Sequence, residues 1–343
     1  MDTRGEDLFA ALPPVAEMDK LPADSIAGKI RGLSQPLVIR DFCAHWPAVV
    51  AGRAAPRQAA DYLRGHYKGV PVSACYGAPE TGGRVFYNEE LSGFNYRSVR
   101  EDLNRVLDDI LACAHSEKPP MIYMASTDVG HWFPGFAAEN DAGISQLNPT
   151  GFLWLGNRVR IAAHYDLPDN LACVIAGRRR FTLFPPEQIA NLYPGPLEFA
   201  PGGQEISLVD LHNPDFERFP RFQEALASAQ VAELHPGDAL FLPGMWWHHV
   251  ESLDSFNLLY TQWWRDSPAY MGRPMNALLH GILSIRDLPE RQRDAWKALL
   301  DYYVFDADGA DHIAEPARGV QRRPLSELQA RRLRAELLNR LKR

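Results

Sequence analysis

The sequence predicts a mainly β protein, a small barrel or jelly roll, with α/β elements before it and helices after it. Three observations carry this. Two β-prone stretches, 160–184 and 239–253, each break at glycine-containing turns into short runs. His164-Tyr165-Asp166 lies in the first and His248 in the second, so two separate strands bring chemistry to one place. Beyond Trp264 the alternation gives way to helical spacing.

Taken in order, residues 1–35 read as an irregular lead-in with short helices. Gln35 to Asp41 begins a buried strand that leads to His45-Trp46-Pro47. A helix is expected around Pro56–Tyr67 and a strand over Val70–Tyr76. From Tyr96 to His115, Val99, Leu103, Val106, Leu107, Ile110 and Leu111 fall on one helical face. The runs Leu171–Ala176 and Arg179–Phe184, joined at Gly177-Arg178, look like a hairpin. The design repeats with Gly237-Asp238 as a turn, Ala239–Leu242, Pro243-Gly244 and Trp246–Leu253. Pro289–Tyr303 and Ser326–Leu341 read as helices. In the last, Ser326 and Gln329 make a capping box, and Ala330, Leu333, Leu337, Leu338 and Leu341 form an apolar stripe opposite a basic face.

A chain of 343 residues with 46% hydrophobic content can bury a sizeable core. Its net charge of −7 argues against a nucleic-acid binder that works by neutralising phosphates. Four cysteines, Cys43, Cys75, Cys113 and Cys173, show no CxxC pairing and read as reduced packing residues of a cytoplasmic protein. The first residues carry no basic segment followed by an apolar core, and no apolar run reaches membrane-spanning length, so no membrane partner is expected.

Two imidazoles and one carboxylate can occupy one face of a divalent iron and leave the other positions open. In a strand, His164 and Asp166 point to the same side while Tyr165 faces away, and His248 must come from another strand folded alongside. Only one of the adjacent His248 and His249 can face the barrel, which leaves the other an outward or supporting residue. Period-two alternation places Arg179 with Phe181 and Leu183 on one face of its strand and Arg180 with Thr182 on the other.

The stretch from about Pro36 to Trp264 resembles the cupin-like JmjC-type Fe(II)/2-oxoglutarate oxygenases, and within them is most similar to the factor-inhibiting HIF asparaginyl hydroxylase. The resemblance is carried by His164-Tyr-Asp166, Asn170, Phe184-Pro-Pro-Glu-Gln188, Leu192-Tyr-Pro194, Asn213 to Pro220, Pro236-Gly-Asp238, Trp246 to Ser252 and Gln262-Trp-Trp264. It implies a double-stranded β-helix core (residues 36–264), preceded by the lead-in (1–35) and followed by a helical region (265–343), whose last helix reads first as a homodimer contact, second as packed on its own barrel and third as a surface for polyanions. It implies Fe(II) held by His164, Asp166 and His248, with 2-oxoglutarate and O2 as co-substrates. Arg179 stands where the resembling hydroxylase has lysine, and Tyr123, Asn170 and Gln262 match residues near the co-substrate. Ile161 replaces a threonine. The implied activity is hydroxylation of an unactivated C–H bond, with an unknown protein side chain as first substrate and a small molecule as second. A non-oxygenase metal-binding cupin and a non-catalytic interaction module are the alternatives from other classes. Trp154, Trp246, Trp247, Trp263 and Trp264 are divided between pocket lining and core packing.

Overall fold

The computed structural model describes residues 8–19, 23–306 and 310–342. It comprises two compact units, Met1–Arg265 and Asp266–Arg343. The strands of the first unit are β1 (Glu17–Met18), β2 (Leu37–Ile39), β3 (Val72–Gly77), β4 (Arg84–Val85), β5 (Tyr96–Glu101), β6 (Met121–Asp128) and β7 (Thr150–Gly156). They continue with β8 (Arg160–His164), β9 (Asp169–Ala176), β10 (Arg179–Phe184), β11 (Gln230–Leu234), β12 (Ala239–Leu242), β13 (Trp247–Ser252) and β14 (Asn257–Trp264).

Two sheets result. The larger runs β1-β2-β12-β9-β14-β7-β6-β3-β5 and the smaller β11-β10-β13-β8-β4. From β7 onward the chain steps back and forth between them, except that β10 and β11 are neighbours in the small sheet, which is the winding of the double-stranded β-helix that the family resemblance implies. The inner faces close on Val38, Ala172, Val174, Phe181, Leu183, Leu240 and Val250. The outer face of the large sheet is covered by helices Ala23–Ile30, Pro47–Ala54, Pro56–His66 and Leu103–Ala112, through residues such as Ile30, Trp46, Leu63 and Leu107. The outer face of the small sheet carries its own apolar cluster, which includes Phe9, Tyr165, Phe184, Phe222 and Trp247.

The two expected hairpins are instead crossings between sheets. β9 pairs with β12 and β14, whereas β10 pairs with β11 and β13. β12 and β13 likewise lie in different sheets. At the first crossing Gly177 has φ +69°, and a Cβ there would meet Phe256 O at 2.2 Å, so this corner requires glycine. A turn signal between two β-prone runs cannot distinguish a hairpin from such a corner, because the pairing partner is set by tertiary packing.

The helical stripe from Tyr96 is also corrected. Tyr96–Glu101 pairs with β3, from Gly77↔Tyr96 to Val72↔Glu101, and the helix begins only at Leu103, capped by the Asp102 side chain on Asn104 N. Val99 nevertheless joins the same apolar cluster as Leu103, Val106 and Leu107, which explains why strand and helix read as one periodic face. The lead-in contributes β1, parallel to β2, and buries Phe9 and Val15.

In the second unit, helices span Pro274–Ser284, Glu290–Leu300 and Glu327–Leu341, and a π-helical turn occupies Asp301–Phe305. Both halves of the Ser326/Gln329 capping box are formed. Of the apolar stripe, Ala330 is buried while Leu337, Leu338 and Leu341 are exposed.

Candidate active site

A cavity of about 350 Å³ lies within the barrel, walled by both sheets and by the segment that includes Pro201, Gln204 and Ile206. Three donors meet on its wall. His164 ends β8, and His248 lies directly across from it on β13. His164 Nδ1 is 2.9 Å from Ala162 O and His248 Nδ1 is 3.0 Å from Trp246 O. A carbonyl only accepts, so each Nδ1 carries the hydrogen and each Nε2 is left with its lone pair. Asp166 supplies the third donor, its Oδ2 3.6 Å from His248 Nε2. One ligand atom from each of the three lies within 4.8 Å of the others, an arrangement that could hold a metal ion.

β8 stops at His164, so Asp166 lies just beyond the strand rather than on it. Its position is set by contacts from distant parts of the chain. Met245 N donates to Asp166 O at 2.7 Å, and Gly244 N donates to Asp169 Oδ1 at 2.8 Å, which clamps the β12–β13 corner onto this loop. A Cβ on Gly244 would sit 2.5 Å from Leu167 O. Gln204 Nε2 donates to Asp166 Oδ1 at 3.0 Å. Tyr165 does turn away, stacking edge-on against Trp247 with centroids 5.0 Å apart and donating to Glu205. Burial pushes the Asp166 carboxyl up, against the pull of His164, and pushes His248 well down from the ordinary histidine value.

Arg179, the first residue of β10, also lines the cavity and is 2% exposed. Burial pushes its guanidinium down to about 10, opposed by the nearby Tyr123. Among the described residues, Nη2 makes a long hydrogen bond of 3.4 Å to Trp154 O, and Nε has no partner. Tyr123 on β6 and Asn170 on β9 line the same cavity, and Asn170 Oδ1 likewise lacks a partner among the described residues. Burial raises the Tyr123 hydroxyl above the ordinary tyrosine value, so it is a neutral donor there.

Gln262 is not brought to this place. On β14 it is Leu259, Thr261 and Trp263 that line the cavity, and period-two alternation turns Gln262 to the other face, where it pairs in register with Leu171. A neighbouring position was matched, one residue out of phase. Ile161 does line the cavity. Trp154 and Trp263 are cavity walls, whereas Trp246, Trp247 and Trp264 are core. His249 takes the opposite face from His248 but is not outward: it is 3% exposed. Gln204 was missed because a single glutamine after Gly202-Gly203 carries no periodic or motif signal.

A two-sheet barrel with a two-histidine, one-carboxylate cluster on its inner wall defines a cupin. The chain belongs to the cupin-like domain family, whose model matches residues 23–270. It is similar to the lysine-specific demethylase JMJ31 of Arabidopsis thaliana, 35% identical over 115 residues, which are 33% of this chain and 20% of that protein. It is 26% identical over 233 residues to the tRNA wybutosine-synthesizing protein 5 of Gallus gallus, covering 63% of this chain and 65% of the relative. It is 28% identical over 207 residues to the JmjC domain-containing protein C of Dictyostelium discoideum, covering 55% and 48%. The chain thus spans from a fifth to just under two thirds of these relatives' lengths.

Proposed function

We propose that the protein is an Fe(II)- and 2-oxoglutarate-dependent oxygenase that hydroxylates an unactivated C–H bond. One observation carries the reading: Arg179 is a buried cation whose Nε has no partner among the described residues, in the cavity whose wall also bears His164, Asp166 and His248. A guanidinium so placed is costly unless an anion completes it, and a carboxylate is the natural complement of its fork. The three donors fit a ferrous ion, because both histidines already present Nε2 and the carboxylate stands beside them.

When bound, Fe(II) with 2-oxoglutarate supplies oxygen activation and the oxidation of a C–H bond. The chain's own part is positional. His164, Asp166 and His248 would hold the metal, with the backbone carbonyls of Ala162 and Trp246 fixing the rings. Arg179 and the Tyr123 hydroxyl would hold the distal carboxylate, and Asn170 offers an amide nearby. Gln204 keeps one Asp166 oxygen occupied and so orients the other. Trp154, Trp263 and Ile206 exclude water.

A protein side chain is the first substrate reading. A cavity of about 350 Å³ that must also admit 2-oxoglutarate has room for a side chain reaching in, with the substrate's bulk outside. A small-molecule substrate is the second. The relatives' names range from a lysine demethylase to tRNA wybutosine synthesis, so no substrate is carried over from them. We also take the chain to be a homodimer through Glu327–Leu341, a reading supported by the exposed Leu337, Leu338 and Leu341. The testing experiment is anaerobic addition of Fe(II) and then 2-oxoglutarate, read as a weak metal-to-ligand charge-transfer band. Peptides and small metabolites are then supplied with oxygen and succinate is measured. Absence of a 2-oxoglutarate-dependent band in the ferrous protein overturns the assignment.

A further inference from the structure

β13 carries a second pair of donors on its other face. His249 and Glu251 stand two residues apart, so they share the side opposite His248. His212, from the segment between β10 and β11, reaches them from outside the small sheet: its Nε2 hydrogen-bonds Glu251 Oε1, and its ring centroid lies 6.4 Å from that of His249. One ligand atom from each of the three falls within 4.8 Å of the others.

The cluster is poorly explained as packing. His249 is 3% exposed, yet neither ring nitrogen has a hydrogen-bond partner among the described residues, and neither has Glu251 Oε2. A buried unsatisfied imidazole is expensive and asks for a ligand. His249 Nε2 stands 3.9 Å from Glu251 Oε2, too far for a hydrogen bond and close enough for both to reach one ion. Three guanidiniums and two carboxylates surround it: Arg180 lies 3.7 Å from Glu251 Oε2, and Arg84 and Arg160 share Asp210, so an ion there competes with Arg180 for Glu251. The His212 side chain is 26% exposed, which gives an ion a path from solvent.

We infer that His212, His249 and Glu251 form a second divalent-metal site, of the zinc class. Two imidazoles and one carboxylate, with a fourth position open to water, suit such an ion. The site ties two elements together. His212 belongs to the same segment as Gln204 and Ile206, which wall the cavity, while β13 presents His248 to that cavity from its other face. A bound ion therefore fastens the cavity's outer wall to the strand behind it, whatever chemistry the cavity performs.

The test uses Zn2+ and Co2+ on the full chain with the cavity donors removed, as His164→Ala/Asp166→Ala. The expected result is one equivalent of Zn2+ retained through gel filtration, Co2+ d–d absorption, and a higher Tm with Zn2+. Adding His212→Ala, the mildest change because that side chain is partly exposed, abolishes all three. Glu251→Gln does the same while keeping the side chain's shape. His212→Ala alone keeps the anaerobic Fe(II)/2-oxoglutarate band if the cavity reading holds, and failure of that band leaves the zinc result standing. No zinc retained by the double variant, or retention unchanged by both His212→Ala and Glu251→Gln, reduces the cluster to a metal-free ion-pair network.

Discussion

His248 is the direct antiparallel partner of His164, their rings 4.2 Å apart between centroids, although one ends β8 and the other lies far downstream on β13. Each ring is held through Nδ1 by the carbonyl two residues before it, so the pair is oriented by its own strands rather than by other side chains. Backbone fixation of this kind prepares a site before any ion arrives.

His164→Ala, Asp166→Ala and His248→Ala are each expected to remove the 2-oxoglutarate-dependent charge-transfer band, whereas His249→Ala retains it, because adjacent residues of β13 face opposite ways. Anaerobic absorption spectra of the four variants decide this. A band lost in His249→Ala and kept in His248→Ala would reverse the choice of histidine.

Arg179→Ala should weaken 2-oxoglutarate binding by about two to four orders of magnitude, since removing one partner of a buried charge pair costs about 3–5 kcal/mol. Iron affinity should change little. Arg179→Lys should recover part of the loss, keeping the charge but not the fork. Titration of 2-oxoglutarate into the ferrous variants gives the answer, and an unchanged affinity in Arg179→Ala moves the anion site elsewhere.

Gln262→Met should leave 2-oxoglutarate affinity untouched and hold or raise Tm. The buried Nε2 has no partner among the described residues, and exchanging an unsatisfied amide for a thioether of similar size removes a cost of about 1 kcal/mol or more. Thermal unfolding and a ligand titration on one variant suffice; a marked loss of co-substrate affinity would put Gln262 back in the cavity.

Gly244→Ala should cost about 1–3 kcal/mol, because the new Cβ collides with Leu167 O. Its effect on metal affinity should exceed that of a surface change, since the displaced loop carries Asp166. Denaturant unfolding and Fe(II) titration measure the two effects separately. Normal affinity in a destabilised variant shows that the corner supports the fold and not the donor.

Leu337→Glu should split the proposed dimer by placing an unpartnered charge in its seam. Sedimentation of the wild-type protein and the variant reads this directly. A wild-type monomer at micromolar concentration rejects the dimer.

What the sequence made legible, and what it hid, divides by the range of the interaction. His164, His248 and Arg179 line the cavity, the faces that alternation gives them, because strand alternation is local and each strand reads it out independently. Gln262 slipped because one residue of phase reverses a face, and nothing in Thr261-Gln262-Trp263 marks which side is inward. Gly177-Arg178 and Pro243-Gly244 were visible as turns but not as crossings, since the partner strands lie far away in sequence. The contact of Gln204 with Asp166 arises only when a loop folds across the barrel mouth, and no spacing announces it.

β13 is inserted between β8 and β10, both of which precede it in the chain. Until residues 247–252 arrive, those two strands each present an open row of backbone donors and acceptors, and they have no hydrogen bonds to one another. The small sheet is therefore joined through a strand whose partners both lie far upstream in the chain. Without β13, β8 and β10 would each carry an unprotected edge of the kind that pairs with other chains.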